Sequence, residues 1–432
     1  MIQVGTVLGR MNRAAEANEI LAAAVARLDD APRGEQWVRA QLVRTLLSSS
    51  EYKTADAAGL VAEVKPYVSQ FPHLQADLDY AEGQLAFQTG KFRMGAQKLQ
   101  AAIAHFSKVH GEDSSRVAEA KWRIGILHLY RNDWQEAERE LTQALRMLKA
   151  RSAPGHRDLL VVQRDLAFAK MRSGHREEAY ALIDEIVGNA RKRAELDSNK
   201  AFLAGALQTW GRIRLSAGDM AAAERAFNEA VALVSNGNER NVFPAMIRFD
   251  VSQVLHARGD KAAASSMAKE VIEIYTEPKA GYSPTNVAVA YISLAAVVKD
   301  TDPALAKEWL AKGRAHDWSE TAFPSTLSRA YLIAAEIAAA EQNREGVLKE
   351  LTAARALLSK HASNPEAAFR HAQVDLLTIR LLGAGAPQSE APCAGIETVR
   401  EVVARFTVES STAHRHANEA KQLCTAEHGR RT

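Results

Sequence analysis

One spacing recurs along this chain and limits its fold more than any other feature. From Gly125 the sequence runs GILHLYRNDWQEAERELTQAL, and from Gly211 it runs GRIRLSAGDMAAAERAFNEAV, matching position by position. The same frame begins at Gly5, Gly83 and Ala167. In each copy a turn residue lies seven positions after the opening small residue (Asn12, Gly90, Asn132, Gly174, Gly218), and a second small residue follows five later (Ala17, Gly95, Ala137, Ala179, Ala223). Four positions further comes a larger apolar residue (Leu21, Leu99, Leu141, Ile183, Phe227), then after three more usually an alanine. Extrapolation adds weaker copies with turns near Ser50, Gly259, Thr301 and Gln342, and with Ala55, Ala264, Ala306 and Val347 in the small-residue slot. The expected turns are 38 to 44 residues apart.

Each interval holds two helices of three to four turns and two short connections, which predicts a stack of antiparallel helix pairs. Gly or Ala where two helices cross lets their backbones approach, and the larger residue fills the gap to the next pair. Prolines fit the same frame. Pro154, Pro244, Pro284, Pro324 and Pro365 fall at or near the start of a first helix, and Pro303 opens a second helix, where a missing N–H costs little. Abundant alanine, with aromatics at only 6%, favours helix throughout.

This spacing resembles the tetratricopeptide repeat, in the long version of roughly 42 residues found in kinesin light chains and many bacterial signalling proteins. The resemblance covers residues 1–385, with five clear copies and four degenerate ones. It implies an all-α fold, an α–α superhelix of about ten helix pairs with a C-terminal capping helix. Two regions are expected: a repeat array over 1–385 and a helical hairpin or cap over 386–432. Towards the C-terminus, Pro365–Leu382 gives a tenth first helix, GAGAPQSEAP a lengthened loop, 394–407 a second helix and 409–427 the cap. Only four residues precede Gly5, fewer than a full first helix needs, so a longer parent protein is expected.

Both cysteines lie in the last unit. Cys393 precedes one helix and Cys424 closes the next, so an antiparallel hairpin would make them neighbours able to form a disulfide. A bridge would suit an extracytoplasmic, periplasmic setting; two free thiols would suit the cytoplasm.

The residues offer no catalytic chemistry: no phosphate loop, GxSxG, kinase signature or zinc spacing occurs, so no enzyme activity, cofactor or metal is expected. His414 and His416 would point to different sides of a helix, and His128 fills a slot usually held by Tyr; all three are expected to be packed or surface histidines. No run of about 18 apolar residues provides a membrane span. A net charge of +3 is too small for a nucleic-acid footprint, and Arg191-Lys192-Arg193 fits a solvated helix face.

What remains is a surface. The resemblance implies that first helices line a concave groove, and the frame places Tyr80, Phe87, Trp122, Ile126, Tyr130, Arg164, Phe168, Arg172, Gln208, Arg212, Phe249 and Tyr291 on its inward positions. Each of these could equally wedge between adjacent first helices. Asp77, Glu119 and Glu336 also fall inward, whereas Phe92, Trp134, Met220 and Phe227 are expected in the core. Aromatics interleaved with Arg suit a peptide or partner helix. The resemblance therefore implies a non-enzymatic scaffold binding a peptide or partner protein, in the C-terminal region of a bacterial multidomain kinase or transcription regulator. The alternative is a small-molecule effector sensor, which would need a closed polar pocket. Oligomeric state is left open by the sequence.

Overall fold

The structure, a computed structural model, describes residues 1–10, 13–28, 33–50, 53–152, 156–196, 200–234, 242–277, 282–320, 325–382, 393–407 and 411–431. Among these residues it is all-α, as the repeat frame predicts, and consecutive helices pack as antiparallel pairs. The first four pairs are α1 (Ile2–Arg10) with α2 (Ala14–Leu28), α3 (Glu35–Ser50) with α4 (Thr54–Val68), α5 (Gln75–Gln88) with α6 (Phe92–His110), and α7 (Ser115–Tyr130) with α8 (Trp134–Lys149). Next come α9 (Arg157–Arg172) with α10 (Arg176–Leu196), α11 (Ala201–Ala217) with α12 (Met220–Val234), and α13 (Val242–Arg258) with α14 (Lys261–Thr276). The series ends with α15 (Pro284–Val298) and α16 (Pro303–Arg314), α17 (Ser325–Ala340) and α18 (Arg344–Ser359), then α19 (Pro365–Leu382), α20 (Ile396–Phe406) and α21 (Thr412–Arg431). Two compact units result: residues 1–131 with 136–162 and 278–284, and residues 132–135 with 163–277 and 285–432.

The repeat frame explains the packing inside each pair. Leu21, Leu99, Leu141, Ile183 and Phe227 are completely buried; Leu21, Leu99, Leu141 and Phe227 each sit against the glycine of the partner helix, and Ile183 shares a core cluster with Ala167. A methyl group added at Gly125 would come within 2.6 Å of Leu141, and one at Gly211 within 2.5 Å of Phe227. Glycine there sets the helix separation, and each large side chain so buried contributes about 1.5–3 kcal/mol. The pair α15–α16 reverses the roles. Leu294 occupies the first-helix slot, and Gly313 of α16 supplies the gap, against Ile292.

The turns also follow the frame. Gly90, Gly174, Gly218 and Gly259 have φ between 78° and 93°, and Asn132 and Gln342 have φ of 58°. A residue just after the turn then caps the second helix: Asp219 accepts from Ala222 N–H, Asp260 from Ala263, Asp302 from Leu305 and Asn343 from Gly346.

Three expectations are corrected, and the expected turn at Thr301 is built differently from the glycine turns. Ser50 is the last residue of α3 rather than a turn, and Ala55 is exposed while Ala57, Val61 and Val64 are buried. The second copy therefore lies two residues later than its extrapolated frame. Thr301 does not take a left-handed conformation; its hydroxyl instead donates to Ser265 Oγ and Val298 O, so the side chain stabilises the turn. Phe92, Trp134 and Phe227 are core residues as expected, but Met220, the first residue of α12, is half-buried. Pro284, Pro303 and Pro365 open α15, α16 and α19, and Pro244 lies in the first turn of α13; Asn12, Pro154, Pro324 and the loop 383–392 lie outside the described residues.

The C-terminal hairpin packs on α19 and, within the second unit, on turns of much earlier repeats. Cys393 and Cys424 are bonded, with 5.6 Å between their Cα atoms. Phe406 of α20 stacks on Phe369 of α19 at 5.1 Å, while Arg176 donates to the carbonyls of Ala404 and Thr407. Ser411 lies directly against Gly218. Arg415, Glu419 and Lys421 face solvent, the polar outer surface expected of a cap.

Candidate functional site

In the first unit, the predicted inward residues form two local clusters. Tyr80 is buried and donates its hydroxyl to Glu119 Oε1 at 2.8 Å, while Arg123 Nε donates to Tyr80 Oη at 3.3 Å. Burial, reinforced by the Glu119 charge, drives the Tyr80 hydroxyl well above its ordinary pKa. Asp77 pairs with Arg116, whose guanidinium lies over Phe106 at 4.4 Å. The second cluster is aromatic: Phe87 meets Tyr130 edge-on at 4.8 Å, both rings close to Phe92. Trp122 lies under Arg123 at 4.1 Å, Ile126 is half-buried, and Tyr130 is the most exposed ring of the set at 37%.

In the second unit, Arg164 binds Asp165 through Nε and Nη2 at 3.0 and 2.8 Å. Gln208 and Arg212 both donate to Asp250, which is almost completely buried. Burial raises the Asp250 carboxyl pKa against the opposing pull of Arg212 and Gln208. Phe249 stacks on Tyr275 at 6.2 Å, and Tyr291 packs against Trp309 with Lys312 over its face. These side chains are held laterally by neighbouring helices.

Arg172 and Phe168 differ, because they lead to a set of residues that the inward stripe did not include. Phe168 meets Trp134 edge-on at 6.2 Å, and the Arg172 guanidinium lies 4.7 Å from the same indole. Arg172 then pairs with Glu366, the second residue of α19. Glu366 is 3% exposed and also accepts from the Trp134 indole N–H, the Ser325 hydroxyl and Arg370. Although burial alone would raise it, the Arg172 and Arg370 charges, with the bonds from Ser325 and Trp134, hold the Glu366 carboxyl below its ordinary range.

A third guanidinium, Arg329 of α17, is half-buried beside this group and makes no hydrogen bond or ion pair among the described residues. Burial and the like charges of Arg370 and Arg172 push it down to about 10; Glu336 acts in the opposite direction. Glu336 itself pairs with Lys299 at 3.4 Å, and Lys299 also binds Asp300. First helices of the fifth, ninth and tenth copies thus converge on one arginine-rich cluster.

Residues 74–150, the third and fourth copies, match the family model described as tetratricopeptide repeat. That stretch carries tetratricopeptide repeats. No protein of curated function matches it. Among solved structures, these repeats are similar to a Rap protein complexed with competence and sporulation factor, at 15% identity and a TM-score of 0.65, covering 84% of this chain and 98% of that one. They are also similar to NprR in complex with its cognate peptide NprX, at 15% identity, TM-score 0.59, covering 80% and 96%. The apo form of the quorum sensor NprR from B. thuringiensis matches at 14% identity, TM-score 0.56, covering 82% and 96%. At these identities the likeness concerns the fold.

The tetratricopeptide frame contained a signal for the missed arginines. Arg329 and Arg370 occupy the repeat slot of Asp77 and Glu119, already assigned inward, but lie in degenerate copies. Glu366 gave no such signal, since an acid in the first turn of a helix is accounted for by the helix dipole. Among the described residues no metal-binding group of His, Cys, Asp and Glu occurs, and no helix is long and apolar enough to cross a membrane. His414 contacts Thr407 at 2.9 Å and His416 contacts Arg380 at 3.2 Å, so the two histidines serve separate contacts. A cleft of about 480 Å³ between α16, α17 and α18 is open and includes the Arg314–Glu350 pair; it is not the closed polar pocket expected of an effector sensor.

Proposed function

We propose that this chain is a non-catalytic protein-interaction scaffold that binds a peptide, or an extended segment of a partner protein, along first helices of its second unit, in a bacterial signalling protein. The observation that carries the reading is the convergence of Trp134, Phe168, Arg172, Ser325, Arg329, Glu366 and Arg370 within that unit. Aromatic faces beside guanidinium groups offer both apolar contact and directed hydrogen bonds to a peptide backbone or side chain. Support also comes from similarity over most of the chain to folds whose solved complexes hold the peptide NprX or the competence and sporulation factor. Arg164, Gln208, Arg212, Phe249 and Tyr291 extend this surface in the proposal, with Tyr80, Phe87, Trp122, Ile126 and Tyr130 as the corresponding stripe of the first unit.

The test is site-specific photocrosslinking. A photoreactive phenylalanine analogue is placed at Phe168 in one variant and, as a control, at Val109, which is 64% exposed at the end of a second helix. Peptides selected on the intact protein from a random heptapeptide library should crosslink at position 168 and not at 109. Crosslinking at 109 alone would place the binding surface elsewhere.

A further inference from the structure

The arginine cluster carries more positive charge than its carboxylate neutralises. Arg172 and Arg370 both bond Glu366, yet the Nε atom of each is buried without a hydrogen-bond partner. Arg329 lies one helical turn beyond Ser325, whose hydroxyl both arginines contact, and makes no hydrogen bond or ion pair among the described residues. The nearby Lys299 does not add to the imbalance, because Glu336 and Asp300 pair with it. Three guanidinium groups share one directly bonded carboxylate, with Glu336 opposing only the charge of Arg329 from a distance, so the cluster is left net positive where folded proteins normally pair each buried charge. The groups are not sealed off, since the side chains of Arg172 and Arg370 remain 21% and 15% exposed.

We propose that this cluster is the anchor for a carboxylate of an acidic peptide, an Asp or Glu side chain held by Arg329 together with the part-exposed side chains of Arg172 and Arg370. The inference rests on the peptide-binding reading above and specifies its ligand class. Planar guanidinium groups match a carboxylate through paired N–H bonds. The part-exposed Phe168 ring beside them, backed by the buried Trp134 indole, receives the apolar part of the same segment. Glu366 already occupies one carboxylate position in the cluster and shows that the arginines accept such a group.

The test uses peptides selected from a random heptapeptide library on the wild-type protein. Enriched sequences should share an Asp or Glu at one position, and replacing it with Asn or Gln should weaken binding at least about tenfold, the scale of a charge-assisted hydrogen bond. Arg329→Met should abolish the preference between acidic and amide peptides. It should also raise the melting temperature, because it removes an unpaired cation; an arginine with a structural role would lower it. Arg329→Lys, which keeps the charge but loses the planar fork, should bind several-fold more weakly than wild type. Enriched peptides with no acidic preference would overturn this inference and leave the scaffold reading intact, whereas failure to enrich any peptide would overturn both. A lower melting temperature for Arg329→Met, or displacement of the acidic peptide by inorganic phosphate as readily as by glutarate, would also overturn the carboxylate assignment.

Discussion

Glu366→Ala is the substitution with the largest expected effect on the second unit. Its carboxylate is 3% exposed, accepts from Arg172, Arg370, Ser325 and the Trp134 indole, and links the start of α8 to α9, α17 and α19. Deleting one member of a buried ion pair costs about 3–5 kcal/mol, because the partner charge is left without compensation. Here two arginines lose their carboxylate beside a third that has none, so the upper part of that range is expected. Glu229→Ala serves as a control, since its pair with Arg191 is largely exposed and screened by water. The assay is urea unfolding followed by hydrogen exchange on peptides from α17 and α19, which reports on this unit separately from the rest of the chain. The pH dependence has a definite sign. The folded pKa of Glu366 is depressed, so its stabilisation is fully present above the unfolded value of about 4.3 and is lost as pH falls through the folded value. A loss below about 1 kcal/mol at neutral pH, or faster exchange spread evenly over the chain, would refute the assignment of Glu366 as the electrostatic centre of this unit.

Other substitutions probe the fold. Gly218→Ala and Gly259→Ala both place a side chain at positive φ, at a cost of about 1–2 kcal/mol. Only Gly218 is packed against Ser411, so Gly218→Ala should additionally accelerate exchange in α20 and α21. Opening the Cys393–Cys424 bond, which spans a separation of 31 residues, should destabilise the hairpin by about 3.5 kcal/mol on loop-closure grounds, seen as proteolysis confined to the C-terminal helices after reduction. Gln342→Gly, at φ 58°, should stabilise by about 0.5–1 kcal/mol. Thr301→Gly should instead destabilise, since its turn is not left-handed and its hydroxyl makes two hydrogen bonds; melting temperatures of the two variants should move in opposite directions.

Most of the fold was legible because a repeat states the same packing rule many times. Phe227 beside Gly211, and Leu141 beside Gly125, follow directly from the spacing. The frame failed where one copy substituted another solution, as with the Thr301 hydroxyl in place of a left-handed turn, or where register was extrapolated, as at Ala55. The candidate site was less legible for a different reason. Periodicity tells which face a residue occupies, but not which distant copy that face meets. The frame therefore gives Arg172 a helix and a slot, while its contact with Glu366 depends on how copies five, nine and ten come together. Trp134 was expected in the core and is buried there, yet its indole N–H also enters the charged cluster. The same ambiguity divides the predicted stripe into locally paired groups such as Arg212 with Asp250 and Tyr80 with Glu119.

The central claim is that first helices of the second unit form the binding surface, and hydrogen exchange with and without a bound peptide addresses it most directly. Addition of an acidic peptide selected on the intact protein should slow exchange in α9, α17 and α19 and leave α10, α18 and α20 unchanged. Protection confined to those second helices and α20, with α9, α17 and α19 unaffected, would contradict the account.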